Sequence, residues 1–224
     1  MEYDRHCQRC PRLARYLDAV REAHPDYHAA PVAAFGAVRA RLLIVGLAPG
    51  PRGANRLGRP FTGDASARVL IPALHQAGFA NQACSERPGD GLRLIGCRIT
   101  NAVKCLPPGN RPTGMEVRAC GSYLAAELQG LMRGAVRRNR CVLALGRIAH
   151  DAVLGALGVT RSRHPFAHGA AHTLRPGLVL VDCYHPSQQN VNTGRLTPPM
   201  LDAVLADTSR WLAGPILDGP GARH

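Results

Sequence analysis

The stretch that most constrains the fold of this chain is residues 41–64, RLLIVGLAPGPRGANRLGRPFTGD. It opens with an unbroken apolar run at residues 42–45, which predicts a buried strand. The residues that follow include five glycines and three prolines, and a helical pattern then begins near Ser66. A buried strand that leads through a glycine-rich loop into a helix is a common α/β ligand site, because glycine lets backbone N–H groups approach the ligand.

This loop matches neither of two familiar nucleotide-binding motifs. It lacks the G-x-x-x-x-G-K-[ST] of a P-loop and the G-x-G-x-x-G of a dinucleotide fingerprint. The sequence therefore predicts an α/β ligand site that does not bind its ligand in either of those ways.

Predicted strands and helices alternate along the chain. Strands are predicted at residues 42–45, 94–103, 141–145 and 178–183, and helices at residues 12–23, 66–77, 116–136, 146–157 and 199–212. Mostly apolar strands indicate a parallel sheet that is covered on both faces. Residues 161–176, which are rich in histidine and arginine, are expected to form a loop or an irregular hairpin. We expect one domain at residues 1–213 and a flexible tail at residues 214–224.

Three polar, turn-rich segments follow predicted strands, at residues 46–64, 101–113 and 184–197. Ligands of parallel α/β sheets bind beyond the carboxyl ends of the strands, so we expect these segments to converge on one site. Asn101 begins the second segment, where its amide could pair with the edge of a nucleobase or cap the loop. His185 follows a strand directly and could donate to an oxygen that gains negative charge, or lie at the surface before a turn.

Two residues of the first loop allow two interpretations each. Asp64 could be a catalytic carboxylate or the N-cap of the helix that follows it. Phe61 lies in an otherwise polar loop, where it could stack on a planar ligand or anchor the loop to the core.

The charge of the chain favours a polyanionic partner. The formal net charge is +13 and the pI is about 10.3, which is typical of proteins that bind nucleic acid. The chain has one lysine and 27 arginines, which indicates a GC-rich genome. Such a genome explains the preference for arginine over lysine, but not the excess of basic over acidic residues. No apolar run approaches the roughly 18–20 residues that span a bilayer, and the first residues lack the apolar core of a signal peptide. We expect a cytoplasmic protein with no membrane contact.

Four of the eight cysteines are candidate metal ligands. Cys7 and Cys10 form a C-x₂-C pair, Cys105 follows the second predicted strand, and Cys120 lies on the next predicted helix. In a reducing compartment such cysteines are ligands or core residues more often than disulfides. Zinc and a 4Fe–4S cluster fit the spacing alike, and the alternative is a chance pair with two core residues.

Together these motifs resemble the uracil-DNA glycosylase superfamily, and most closely its family 5. The resemblance rests on residues 46–64, 100–113 and 185–197, and on the four cysteines, which match the 4Fe–4S cluster of families 4 and 5. It implies a three-layer α/β/α fold around a four-stranded, mainly parallel sheet. It also implies a monofunctional glycosylase that flips and removes uracil, hypoxanthine and xanthine from DNA.

The resemblance also assigns roles to residues. It implies catalytic roles for Asp64, Asn101 and His185, and a base pocket at Gly46, Ala48 and Phe61. It also implies DNA binding by Asn190, Asn192, Arg195 and Leu196. The cluster ligands that it implies are Cys7, Cys10, Cys105 and Cys120. Leu196 is expected to be the apolar tip of a minor-groove wedge. Other families carry an acidic or amide residue at the positions of Leu47 and Ala48, which leaves Asp64 as the candidate carboxylate.

Three rival interpretations accompany this one. A family 4-like enzyme would need glutamate where Leu47 stands. The second rival is a non-catalytic iron–sulfur protein of the same fold that binds DNA or abasic sites, and the third is a zinc-bound RNA-binding domain. Lys104 is the sole lysine and adjoins Cys105, which argues against lyase chemistry. The expected partner is double-stranded DNA with deaminated bases, with single-stranded DNA as a further candidate, bound by a monomer at the nucleoid of a prokaryote.

Overall fold

A computed structural model describes residues 4–133 and 138–216 of the chain. The helices are α1 (Pro11–Ala23), α2 (Ala54–Leu57), α3 (Ala67–Gln76), α4 (Gly114–Leu131), α5 (Arg147–Leu157), α6 (Gln188–Asn192) and α7 (Pro198–Ala213). The strands are β1 (Phe35–Gly36), β2 (Leu42–Gly46), β3 (Cys97–Asn101), β4 (Arg140–Leu145), β5 (Ala171–Arg175) and β6 (Leu178–Cys183). Single 3₁₀ turns occur at Pro108–Asn110 and Arg161–Arg163.

The strands form one six-stranded sheet in the order β1-β3-β2-β4-β6-β5. The four central strands, β3, β2, β4 and β6, are parallel. The two edge strands, β1 and β5, are antiparallel to their neighbours. Because the central strands run in the same direction, their carboxyl ends meet at one edge of the sheet.

Helices cover both faces of the sheet, which gives a three-layer α/β/α architecture. Leu42 and Ile44 of β2 pack on one face with apolar residues of α3 and α7. Leu43 and Val45 pack on the other face with α4 and α5. All five residues of β2 are buried, as expected of a central parallel strand.

A third apolar cluster lies beside the sheet, where α1 packs against the segment after β3 and against α4. It includes Leu13, Leu17 and Tyr123 together with Cys105 and Cys120. This cluster joins the N-terminal segment to the rest of the protein.

The α/β prediction is confirmed, but the prediction of four strands is wrong, because the sheet has six. β1 is two residues long, which is too short to show the hydrophobic periodicity of a strand. β5 has the sequence AHTLR and is largely accessible at the sheet edge, so it lacks the apolar run that marks the other strands. Residues 161–176, predicted as a loop or irregular hairpin, thus contain a true strand that pairs with β6.

Two predicted boundaries also change. The helix predicted over residues 116–136 ends at Leu131, and residues 134–137 lie outside the described part of the chain. Of the predicted tail, Gly214 is held by the side-chain amide of Asn139, which donates to its carbonyl oxygen at 3.2 Å. Residues 217–224 lie outside the described residues. No helix within the described ranges is both long and apolar enough to cross a membrane.

Candidate active site

The three loops predicted to converge do meet, at the carboxyl edge of the sheet. They surround a cavity of about 500 Å³, here called the base cavity, and the second loop contributes residues 109–111 to its wall as well as Asn101. Six of the predicted site residues line it, namely Ala48, Phe61, Asp64, Asn101, His185 and Asn190.

Gly46 lies beneath the base cavity and leaves room for two of these side chains. It ends β2 directly opposite Asn101 of β3. A Cβ atom at this position would collide with Oδ1 of Asn101 and would lie 3.0 Å from Cε2 of Phe61. Glycine is therefore needed at position 46 for Asn101 and Phe61 to approach each other.

Phe61 anchors its loop to the core, and its stacking on a planar ligand stays a prediction. Its ring lines the base cavity and also packs in the core cluster with β2 and α3. Its φ is +47°, a left-handed conformation that a bulky residue adopts only when its surroundings enforce it.

A buried arginine provides that enforcement. The guanidinium of Arg59 donates to both carboxylate oxygens of Asp90, at 2.9 and 2.6 Å. It also donates to the hydroxyls of Thr62 at 2.8 Å and Ser85 at 2.9 Å. The hydrogen bonds from Arg59 hold the pKa of the Asp90 carboxyl far below its usual value. Sequence reasoning missed this network, because Asp90 is 31 residues from Arg59 and nothing local marks the pair.

Asp64 caps the helix start with one oxygen, and its catalytic role stays a prediction. Oδ1 accepts a hydrogen bond from the backbone N–H of Ala67 at 2.9 Å, at the start of α3. Oδ2 lies against Gly53, where any Cβ would collide with it, and 3.2 Å from where a Cβ on Gly50 would stand. Burial raises the pKa of Asp64 above its ordinary 3.8, although N–H groups of the helix start and the charge of Arg68 oppose the rise. The carboxylate is thus a helix cap with a second oxygen available at the cavity.

His185 is a neutral imidazole in the cavity wall. Burial lowers its pKa to about 4. Its ring centre lies 6.0 Å from that of Phe61, at a 33° tilt. Among the described residues, no group forms a hydrogen bond with its ring nitrogens, so the one N–H of the neutral ring is free for a ligand.

Neighbouring side chains brace the segment that carries His185. The amide of Asn190 donates to the carbonyl oxygen of His185 at 2.8 Å. Tyr184 stacks on His168 with ring centres 4.9 Å apart, and the guanidinium of Arg195 lies 4.6 Å from the centre of the Tyr184 ring. Asn190 and Arg195 therefore contact the protein itself.

The expectation that Leu196 forms an exposed wedge tip is wrong. Its side chain is fully buried and belongs to the core cluster with Cys183 and Leu201. It could enter a DNA groove only by leaving that core. Asn192 and Arg195 are exposed but do not line the base cavity.

A second histidine site, which the sequence did not predict, lies behind the cavity at β6. Asp182 is fully buried, with Oδ1 2.7 Å from Nδ1 of His150 and Oδ2 3.2 Å from Nε2 of His172. The other nitrogen of His150 lies 2.9 Å from the carbonyl oxygen of His164. Both nitrogens of His150 thus face oxygen atoms, an arrangement that favours the doubly protonated imidazolium. Burial alone would lower the pKa of His150, but Asp182 and the His164 carbonyl raise it above its ordinary value.

The four candidate ligand cysteines line one small cavity between α1, the end of β3 and α4. The backbone N–H of Lys104 donates to Sγ of Cys120 at 3.3 Å. Burial raises the pKa of the Cys105 thiol to about 12, and the nearby sulfurs of Cys120, Cys7 and Cys10 add to the rise. Four thiols in this setting become thiolates only if a cationic group joins them. Cys97, Cys141 and Cys183 are buried in strands, as predicted for core residues.

The spacing of these sulfurs bears on which group fits. Zn–S bonds of about 2.3 Å would bring the sulfurs of a tetrahedral zinc site within about 3.8 Å of one another. Among the described residues, His150, His172 and Asp182 have ligand atoms that all lie within 4.8 Å of one another. No three of the cysteine sulfurs in that part of the chain lie so close together. The described cysteine sulfurs are thus not drawn together as closely as the ligands of a bound zinc ion.

An ion pair connects the cysteine segment to the base cavity. Arg12 of α1 donates to both oxygens of Glu116, at 2.8 and 2.7 Å, and to the carbonyl of Arg111 at 3.1 Å. Glu116 also forms a capping box with Thr113 at the start of α4. Since Arg111 lines the base cavity, α1 helps to hold one of its walls.

Comparisons with known proteins agree with this geometry. The family model described as the uracil DNA glycosylase superfamily matches residues 33–209. A type-5 uracil-DNA glycosylase of Thermus thermophilus is 47% identical over 213 residues, 93% of this chain and 94% of the relative. A type-5 enzyme of Mycobacterium leprae is 46% identical over 215 residues, 93% and 92% of the two chains. A type-4 uracil-DNA glycosylase of Pyrobaculum aerophilum is 31% identical over 190 residues, 83% and 80% of the two chains.

Proposed function

From the premise that the chain belongs to the uracil-DNA glycosylase superfamily, we propose that it is a DNA-repair glycosylase that hydrolyses the N-glycosidic bond of uracil in DNA. The observation that carries this proposal is the base cavity, where the amide of Asn101, the ring of Phe61, a neutral His185 and the carboxylate of Asp64 meet. A planar base with polar edges matches that set, and it can reach the cavity only after it leaves the DNA stack.

Two residues would recognise the flipped base. Phe61 would stack on its face, and the amide of Asn101 would hydrogen-bond its edge, because an amide offers a donor and an acceptor side by side. The volume of about 500 Å³ leaves room for a purine as well as for a pyrimidine. We therefore extend the proposed substrates to hypoxanthine and xanthine.

His185 would stabilise the departing base. When the glycosidic bond breaks, a base carbonyl oxygen gains negative charge, and the N–H of His185 can donate to it. With its pKa lowered to about 4, the imidazole stays neutral at pH 7. It would therefore act as a hydrogen-bond donor and not as a proton donor.

Asp64 would position the attacking water. Leu47 and Ala48, which follow β2 directly, carry no polar side-chain group. Asp64 lines the cavity, and its Oδ2 does not take part in the hydrogen bond from Ala67. A carboxylate with a raised pKa is also a better proton acceptor than an ordinary one.

The remaining proposals concern partners and the cofactor. We propose that a monomeric domain at residues 1–213 binds duplex DNA, with Asn190, Asn192 and Arg195 near the phosphates, and that single-stranded DNA is also a substrate. The setting would be the nucleoid in a prokaryotic cytoplasm. Cys7, Cys10, Cys105 and Cys120 would hold a 4Fe–4S cluster, which would cross-link α1, the segment after β3 and α4.

Single-turnover excision on a duplex with one uracil tests the function, with abasic sites revealed by alkali. We expect excision by the wild type and by Asp26→Asn, an exposed carboxylate away from the cavity, and a loss of about 10²-fold or more for Asp64→Asn. Near-wild-type rates for both Asp64→Asn and Asp64→Ala would contradict the role of Asp64. Tight binding to abasic DNA with no base release by the wild type would instead favour the non-catalytic alternative.

A further inference from the structure

A second cavity shares Asp64 with the base cavity. It is an open groove of about 730 Å³ between α2, the first half of α3 and residues 83–87. The chain positions of its walls are far apart, so the groove exists only in the folded protein. Neither the sequence motifs nor the proposed chemistry of the base cavity assigns it a role.

Three arginines surround this groove, one from each wall. Arg56 lies in the last turn of α2, Arg68 in the first turn of α3, and Arg87 in the loop after α3. All three are exposed, and within the described residues none forms an ion pair or a side-chain hydrogen bond. The acidic side chains of the groove are Glu86 and Asp64. The groove therefore carries a net positive charge that the protein does not neutralise.

The loop that carries Arg87 is held firmly. The carboxylate of Asp90 accepts hydrogen bonds from the backbone N–H groups of Glu86 at 2.9 Å and Arg87 at 3.2 Å. Asp90 is itself fixed by the ion pair with Arg59. The N–H of Gly63 also donates to the carbonyl oxygen of Ser85 at 2.8 Å. The backbone of the groove is thus fixed before any ligand binds.

We propose that the arginine groove, defined as Arg56, Arg68 and Arg87, binds the phosphodiester backbone of the DNA strand that carries the target base. Arginine binds phosphate through paired N–H groups, and each phosphate neutralised releases counterions. Asp64 lines both the groove and the base cavity, and Asn190 also lines the base cavity, so a strand held at the groove and near Asn190 would pass the base cavity. The identity of the polyanion as DNA rests on the proposed function.

The salt dependence of binding tests this proposal on a duplex with a tetrahydrofuran abasic analogue. Arg56→Gln combined with Arg87→Gln should flatten the slope of log K against log salt by about 1.8, since each lost phosphate contact removes about 0.9. If the double variant and the wild type have equal binding constants at 1 M salt, this slope difference implies about 60-fold weaker binding by the double variant at 0.1 M salt. Arg68 is left unchanged because its charge also acts on Asp64.

Arg39→Gln is the matched control, an exposed arginine before β2 and so at the opposite edge of the sheet. It should leave the slope as in the wild type. A double variant with an unchanged slope, or a control with an equal loss, would overturn the groove as a phosphate site.

Neutral methylphosphonates, placed one at a time around the analogue, then locate the contacts. At one or two positions beside the analogue, the methylphosphonate should weaken binding by the wild type about 8-fold at 0.1 M salt. The same substitution should not weaken binding by the double variant any further. Equal losses for both proteins at every position would contradict the proposal. These assays measure binding without excision, so the two proposals can fail separately. Excision of uracil together with an unchanged slope would disprove the groove alone. A changed slope without any excision would disprove the proposed function alone.

Discussion

Two histidines near β6 face opposite environments: His185 follows the strand, and His150 lies on α5 and contacts Asp182 of the strand. Asp182, which binds His150, is only three residues before His185 in the chain. Yet His185 has lost water and gained no partner, so its pKa falls to about 4. His150 is more deeply buried than His185 but lies between a carboxylate and a carbonyl, so its pKa rises. The comparison teaches that burial alone does not set the charge of a histidine, since the partners that replace water decide it.

The two environments also separate two tasks. The neutral ring faces the cavity, where a free N–H is useful, and the charged ring is enclosed where it joins α5 to β6. The imidazolium of His150 does not line the base cavity, whereas the neutral ring of His185 does. Changes at these residues should therefore affect either stability or catalysis, but not both alike.

The largest effect is expected from Asp182→Asn. It would leave the imidazolium of His150 buried without its counter-charge, a change that typically costs about 3–5 kcal/mol. Urea unfolding would measure the loss, with Asp26→Asn as the exposed control. A loss below about 1 kcal/mol would show that His150 is not an imidazolium in the folded protein.

His185→Asn should be the counterpart, with a large effect on rate and little on stability. Removing one donor to a developing charge costs about 10²–10³-fold in rate. Single-turnover excision would measure it, with the exposed His75→Asn as control. An excision rate within a few-fold of wild type would place the stabilising donor elsewhere in the cavity.

Acid pH should distinguish the histidines by the sign of their effects. His185 has a folded pKa below its unfolded value of about 6.5, so the unfolded state binds more protons, and stability falls as the pH drops from about 6.5 toward 4. His150 has a raised pKa, so its contribution is complete below about 6.5 and is lost as the pH rises through the folded value. Unfolding free energies at pH 5 and 6.5 should show a smaller decrease for His185→Asn than for wild type. An equal decrease in both proteins would refute the buried neutral state.

The smallest effect is expected from His172→Asn. His172 contacts Asp182 at 3.2 Å, but His150 remains as the close partner of that carboxylate. The loss of one such hydrogen bond typically costs about 0.5–1.5 kcal/mol. Thermal unfolding would measure it, and excision should be unchanged. A loss as large as that of Asp182→Asn would mean that His172, and not His150, carries the charge.

The sequence predicts those parts of the fold and site that rest on local pattern. The central strands are apolar runs, and Asn101 and His185 stand at strand ends, so parallel topology alone brings them together. β5 escaped prediction because an accessible edge strand needs no apolar run.

Parts that rest on long-range partners could not be predicted. Asp182 sits within the apolar strand LVLVDC, and its partner His150 is 32 residues away on a different element. Leu196 lies in a polar motif that suggests a surface role, but packing against α7 buries it. In both cases the neighbours in space, and not those in sequence, determine the role.

If Asp64 orients the attacking water as proposed, its cap has a consequence for the entropy of the reaction. A carboxylate in solution rotates freely, and that freedom must be lost when it orients a water. Here the hydrogen bond from Ala67 to Oδ1 already fixes the rotation, before any DNA arrives. The ordering of this side chain is completed during folding, so none of its cost remains for the step in which the base is released.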